Sequence, residues 1–361
     1  MLKNIWILLF LFSLISIPLS SQSPFQKYSN LFTPPLSYVV PYTDIAPEID
    51  GDINEDAWQK ATWTGYFQDI EGDLKPKPYY QTRAKMLWDD NYLYIAAELK
   101  DPHVWGTLTK RDQIIFYDND FEVFLDPYNT THSYFEIEIN ALNNIFDLFL
   151  TKPYRNGGVP LFSWDTAGML HAVKVHGTLN NPHDIDEGWT IEMAIPYRAL
   201  SLSNHINVPE DKEIWRINFS RVQWDTDIED GQYVKRRDAD GDVLPENNWV
   251  WSPQGIVDMH RPERWGYLQF SKSGKDVFVL PYSEKQKQYL WLAYYMQKDF
   301  LRKNNRYATT LNELGLDKLN ITIDSKINKL SIASTNSRFD IKIKDEDDKW
   351  ESINEDGLIL K

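Results

Sequence analysis

The chain has 361 residues, enough for one large domain with a smaller one attached. It carries 53 Asp and Glu against 38 Lys and Arg, a formal net charge of −15; this field repels nucleic-acid phosphate and anionic membranes and suits neutral ligands or cations. The absence of cysteine excludes disulfides, thiolate nucleophiles, Cys-based zinc sites and lipid attachment through an N-terminal Cys.

Residues 1–21 read as a signal peptide. Lys3 gives the positive start, an apolar run from Ile5 to Ile17 follows, and Pro18 breaks it before a small-residue cleavage site. The expected location is therefore secreted, periplasmic or cell-surface, with no membrane contact once the leader is removed and no lipoprotein anchor. Residues 22–37, with Pro34-Pro35 and no periodicity, read as a linker.

From Tyr38 the chain turns β-rich. Asp50-Gly51-Asp52 is a turn, followed by a short helical turn that buries Trp58. Residues 81–99 form a hairpin around Asp89-Asp90-Asn91, with alternating residues on both arms. The most informative stretch is 114–150, which reads as three strands. Phe121, Val123 and Leu125 share one face with Phe135, Ile137 and Ile139. Asp120, Glu122, Phe124 and Asp126 share the other face with Tyr134, Glu136, Glu138 and Asn140. That second face is too acidic and aromatic for an ordinary solvated one. Carboxylates and amides there suit polar groups, and rings suit flat apolar faces.

Further strands are expected at 170–179, 189–195, 215–224, 249–251 and 265–270, with a long polar insertion at 225–248. About ten or more short strands and almost no helix before Ser271 predict a mostly β fold, an antiparallel, jelly-roll-like β-sandwich over 38–270. Residues 271–361 read as a small C-terminal α+β appendage, a helix from Ser283 to Asn304 followed by strands. Its predicted buried face holds Leu290, Ala293, Tyr294, Gln297 and Leu301.

Six motifs then recur in order: EIDGDINEDAW at 48–58, WDDNYLYIAAELKDP at 88–102, DNDFEVFLDP at 118–127, YFEIEIN at 134–140, GWTIEMAIP at 188–196 and HRPERWGYLQF at 260–270. Together they resemble carbohydrate-binding module family 9 and its 9-like relatives. The resemblance implies a secreted β-sandwich that binds an oligo- or polysaccharide without cleaving it, often with structural Ca²⁺, and that supports separate glycan-degrading enzymes in polysaccharide catabolism. It also implies two aromatic rings clamping a terminal sugar. The family's acidic contact falls on Glu122 and its first ring near Tyr117. Its second ring falls on Met259, and a basic contact falls on Glu138, so two positions have changed character. Trp105, Trp164 and Trp251 are the rings available as replacements.

The candidate sugar contacts are Tyr117, Asp120, Glu122, Glu138, Asn140, Trp164 and His260. Asp238, Asp240 and Asp242 alternate around Gly241, a spacing that suits either a Ca²⁺ site or an exposed acidic turn. Two other function classes stay open. Glu122 with Glu136 or Glu138 has the residue types of a glycoside hydrolase pair. Met259-His260 has those of an axial haem ligand set in an electron-transfer sandwich.

Overall fold

The computed structural model describes residues 24–361, so the leader expected at 1–21 lies outside the described residues. In chain order the strands of the main body are β1 (Ser37–Pro41), β2 (Gln68–Asp69), β3 (Thr82–Trp88), β4 (Tyr92–Leu99), β5 (Asp120–Asp126), β6 (Tyr134–Asn140), β7 (Ile145–Leu150), β8 (Pro160–Leu161), β9 (Leu170–His176), β10 (Gly188–Pro196), β11 (Ile214–Gln223), β12 (Thr226–Glu229), β13 (Gln232–Lys235), β14 (Asn247–Val250) and β15 (Gly266–Ser271).

They form two sheets and a separate hairpin. The larger sheet runs β1-β15-β11-β5-β6-β7-β8, with β14 on β11 and β2 on β14; the smaller runs β3-β4-β10-β9. The period-two residues interlock between them. Phe121, Val123, Leu125, Ile137, Ile139, Ile217 and Phe219 from one sheet meet Met86, Trp88, Ile95, Ala97, Ile191 and Met193 from the other in a single buried core. This is the expected sandwich. One edge departs from the antiparallel rule: β1 pairs with β15 in parallel, from Ser37 opposite Tyr267 to Pro41 opposite Ser271. The polar insertion is also more ordered than a loop, since β12 and β13 pair as a hairpin.

The motif around Trp58 covers the outer face of the smaller sheet. Ile53 and Trp58 pack there on Leu87, Tyr94, Ala96 and Ala194. Glu192, pointing outward from β10, anchors this cover. Its Oε1 accepts from Trp58 Nε1 at 2.6 Å and its Oε2 from the backbone N–H of Gly51 at 2.7 Å and Asp50 at 3.1 Å. Burial pushes the Glu192 carboxyl up to about 7, against these three donors. Glu192→Ala leaves all three unsatisfied and is expected to cost about 2–4 kcal/mol. The check is a lower urea midpoint with unchanged slope, and a smaller loss for Glu192→Gln, which keeps an acceptor.

The C-terminal part holds the helix α2 (Tyr282–Asn304), which follows the short α1 (Pro24–Lys27), and a sheet of β16 (Ile321–Ile323), β17 (Lys326–Ser334), β18 (Phe339–Asp345), β19 (Trp350–Asn354) and β20 (Ile359–Leu360). Leu290, Ala293 and Tyr294 of α2 pack on Ile321, Ile341, Ile343 and Ile353 in a second core. Gln297 on the same face exchanges two hydrogen bonds with the backbone of Ala308. The segment read as a linker is part of this packing. Ser29–Phe32 forms a 3-10 turn, Leu31 is buried against the helix, and Arg264 donates to the carbonyls of Asn30 and Thr33. The aromatic side chains of Tyr28 and Phe32 pack on the same core, which the prolines and lack of period conceal.

The seam between the two cores is polar. Glu263 is buried between Arg155, at 2.8 Å, and the hydroxyl of Tyr295. Tyr294 donates to Asn156 at 2.7 Å, and Thr131 donates to the carbonyl of Gly357 at 2.6 Å.

Candidate functional site

The outward face of the larger sheet forms the floor of an open hollow of about 360 Å³. Strand register sets the floor. Glu122 lies opposite Glu138 and Phe124 opposite Glu136 across β5 and β6, and Phe146 follows on β7 opposite Glu138. Loops supply most of the walls: Phe116 before β5, Tyr154 and Phe162 after β7, Glu246 before β14, and Val257 to His260 before β15, with Asn248 on β14 itself. Tyr154 and Phe162 are 42% and 53% exposed, so two rings stand open at the rim. Phe162 also packs on Phe146, with centroids 5.6 Å apart.

The polar lining is acidic. Glu122, Glu136, Glu138, Glu246 and Asp258 line the hollow, and among the described residues its lining holds no Lys or Arg. Burial pushes Glu122 up to about 7, with the Ser220 hydroxyl opposing and Glu246 adding to the rise. Glu136 and Glu138 are held well above the usual carboxylate range by burial and then by their carboxylate neighbours. Glu138 accepts the backbone N–H of Phe116 at 2.9 Å, which ties the Phe116 turn to the floor. Burial lowers His260 to about 4, so its imidazole is neutral at pH 7. Its Nδ1 pairs with the Tyr134 hydroxyl at 2.9 Å, and its ring meets Tyr154 edge-on at 4.4 Å.

Of the residues expected from sequence, Glu122, Glu138 and His260 line this one hollow. Asp120 is not in its lining; it is fully buried on the same sheet face, two residues before Glu122 on β5. The other three are placed elsewhere. Asn140 is buried and structural: it donates to Leu108 O and Asp118, and accepts the backbone N–H groups of Leu142 and Asn144, closing the β6–β7 turn. Trp164 packs on Phe135 at 4.8 Å, at the margin of the core. Tyr117 is 52% exposed on the Phe116 turn, and it is Phe116 that faces the hollow. The alternative rings Trp105 and Trp251 are both buried. Met259, at the family's second ring position, does line the hollow.

Two acidic groups bring oxygens together. Asp120, Glu122 and Glu138 form one and Asp112, Asp147 and Asp165 the other; in each, one carboxylate oxygen per residue lies within 4.8 Å of the rest. Asp238, Asp240 and Asp242 are in neither group. They form an exposed turn, in which Asp238 accepts the backbone N–H groups of Asp240 and Asp242.

Residues 49–211 match the family model described as carbohydrate family 9 binding domain-like. Over 171 residues the chain is 26% identical to the exoglucanase XynX of Acetivibrio thermocellus, a stretch that is 46% of this chain and 13% of that enzyme. Over 159 residues it is 26% identical to endo-1,4-beta-xylanase A of Thermotoga maritima, which is 43% of this chain and 12% of that enzyme. A solved carbohydrate binding module family 9 from Caldicellulosiruptor kristjanssonii in complex with cellotriose aligns with a TM-score of 0.40 at 17% identity, over 68% of this chain and 100% of that one. The resemblance read from the six motifs is thus borne out across residues 49–211.

Proposed function

We propose that this chain binds neutral carbohydrate in the hollow over β5 and β6, outside the cytoplasm, in support of polysaccharide breakdown by separate enzymes. The observation that carries this reading is the lining itself: open rings of Tyr154 and Phe162 beside several carboxylates, with no Lys or Arg among the described residues. The apolar C–H face of a pyranose packs on such rings, and its hydroxyl rim donates to carboxylates. An acidic lining disfavours uronates, phosphates and sulfates through like-charge repulsion. The match over residues 49–211 to the carbohydrate family 9 binding domain-like model supports the same reading.

Affinity electrophoresis of the mature protein on gels holding neutral glucans, xylans or mannans tests it. At least one gel is expected to retard the wild type. Glu122→Gln and Phe162→Ala are each expected to weaken that retardation about tenfold or more, or about 1.4 kcal/mol. Trp164→Ala, away from the hollow, is expected to leave it intact. No retardation on any neutral gel, or equal retardation of both hollow variants, contradicts the assignment. Release of reducing ends from the retarding polysaccharide, abolished by Glu122→Gln, favours the hydrolase alternative instead.

A further inference from the structure

We propose that Asp120, Glu122 and Glu138 form a divalent-cation site at the floor of the hollow, and that the bound ion offers open coordination positions to sugar hydroxyls. The second half rests on the carbohydrate reading; the first does not.

The strand register makes these acids a problem that an ion solves. Glu122 and Glu138 lie directly opposite each other across β5 and β6. Like charges at such a pair destabilise a sheet. Asp120 sits two residues along β5, fully buried on the same face. Its Oδ1 accepts the backbone N–H of Val222 at 3.3 Å, while its Oδ2 is buried with no hydrogen-bond partner among the described residues. A fully buried carboxylate oxygen without a partner is costly and points to a missing neighbour.

The spacing fits a hard cation. One oxygen from each of the three lies within 4.8 Å of the others. Calcium takes oxygens at about 2.3–2.6 Å, so two ligands on opposite sides of one ion stand about 5 Å apart. A single ion can therefore touch all three.

The second acidic group supplies a contrast within the same molecule. Asp112, Asp147 and Asp165 also converge, but Arg111 sits among them at 3.6, 2.8 and 3.0 Å. That trio already holds its cation. Among the described residues Asp120, Glu122 and Glu138 have no such side chain: the charges acting on them are other carboxylates.

Calcium needs about six to eight oxygens. Three carboxylates leave several positions for water or ligand. Glu122 and Glu138 line the hollow while Asp120 is buried beside them on the same face, so the open side of the three is the hollow. Vicinal hydroxyls of a sugar are neutral oxygen donors that suit them.

The test uses EDTA-stripped mature protein and calcium chloride in isothermal titration calorimetry. Wild type is expected to bind calcium and to melt at a higher temperature with it. Asp120→Asn and Glu138→Gln, which keep shape and remove charge, are expected to lose about tenfold or more in calcium affinity and to lose the melting shift. Circular dichroism confirms that both variants are folded. Asp240→Asn, in the exposed turn, is expected to bind as wild type does. No calcium binding by wild type, or undiminished binding by both variants, overturns the site. Affinity gels with calcium or EDTA then test the bridge. Retardation that depends on calcium supports it. Retardation unchanged by EDTA overturns the bridge and leaves the carbohydrate reading standing. Calcium binding at the site with no retardation on any gel overturns the bridge together with that reading.

Discussion

Arg221→Ala is expected to cost about 3–5 kcal/mol of folding stability, because it strands a buried carboxylate. Arg221 lies on β11 and is fully buried. Its Nη2 meets Asp101 at 3.0 Å and Gln223 at 2.6 Å, and its Nη1 donates to Lys100 O at 2.8 Å and Thr82 at 3.1 Å. Its guanidinium also faces the rings of Tyr80 and Trp249. One side chain of the larger sheet thus ties down the end of the smaller sheet and the loop that leaves it. Burial outweighs the pairing on both sides: it raises Asp101 and lowers Arg221. The pair itself therefore adds little net stability, while breaking it is expensive. A double-mutant cycle separates the two. Arg221→Met with Asp101→Asn is expected to be more stable than Arg221→Met alone, measured by urea denaturation. Equal loss in the single and double variants contradicts this account.

Alternation made the sandwich legible. Every residue of β5 and β6 lies on the face its parity assigns, since a slip of one residue would turn the carboxylates of Glu122 and Glu138 into the core. Periodicity does not show what covers a face. The outer face of the smaller sheet is capped by Ile53 and Trp58, which Glu192 of that sheet anchors, and only the tertiary fold reveals that EIDGDINEDAW is a lid for it. The parallel edge at β1 had no local signal either, because its partner lies more than two hundred residues away.

The site was legible to the extent that it lies on strands. Glu122 and Glu138 were found by parity, and Glu136 lies on the same face and lines the hollow beside them. Phe116, Tyr154, Phe162, Glu246 and Asp258 come from loops, where no period marks a side, and Asn248 from the short strand β14. Asn140 shows the converse error. Its place on the acidic face is right, but at the end of β6 its amide satisfies turn backbone groups instead of a ligand. Trp164 fails for a different reason. A loop tryptophan gains more by covering an apolar edge such as Phe135 than by standing in water, and sequence does not show which edge is near.

Glu284→Ala is the second large effect, expected at about 3–5 kcal/mol, and it joins the two cores. Glu284 lies in the first turn of α2, where the helix dipole favours a carboxylate. It is buried with Arg216 at 2.7 Å, Lys287 at 2.8 Å and Asn129 at 2.9 Å. Arg216 belongs to β11 and also donates to Trp265 O at 2.9 Å, so the pair links helix to sandwich. Removing Glu284 leaves Arg216 and Lys287 as buried cations without their anion. Urea denaturation measures the loss, and trypsin reads its location: the exposed connection from Lys272 to Val279 is expected to be cut faster in the variant. The pH dependence has a definite sign. Burial alone would raise Glu284, but the Lys287 and Arg216 charges hold it down to about 2. A depressed carboxylate contributes stability that is present above its ordinary value near 4.5 and is lost as pH falls through 2. Asp126, beside the same cations, is pushed up to about 6 by burial; its contribution runs the other way, full below its ordinary value and lost as pH rises through 6. Both wild type and Glu284→Gln share the Asp126 limb. The difference between them isolates Glu284, and its pH-dependent part is on the order of 3 kcal/mol at pH 6, shrinking toward zero as pH falls from about 4.5 to 2. A difference that stays constant across that range means that Glu284 is not held as an anion at the seam.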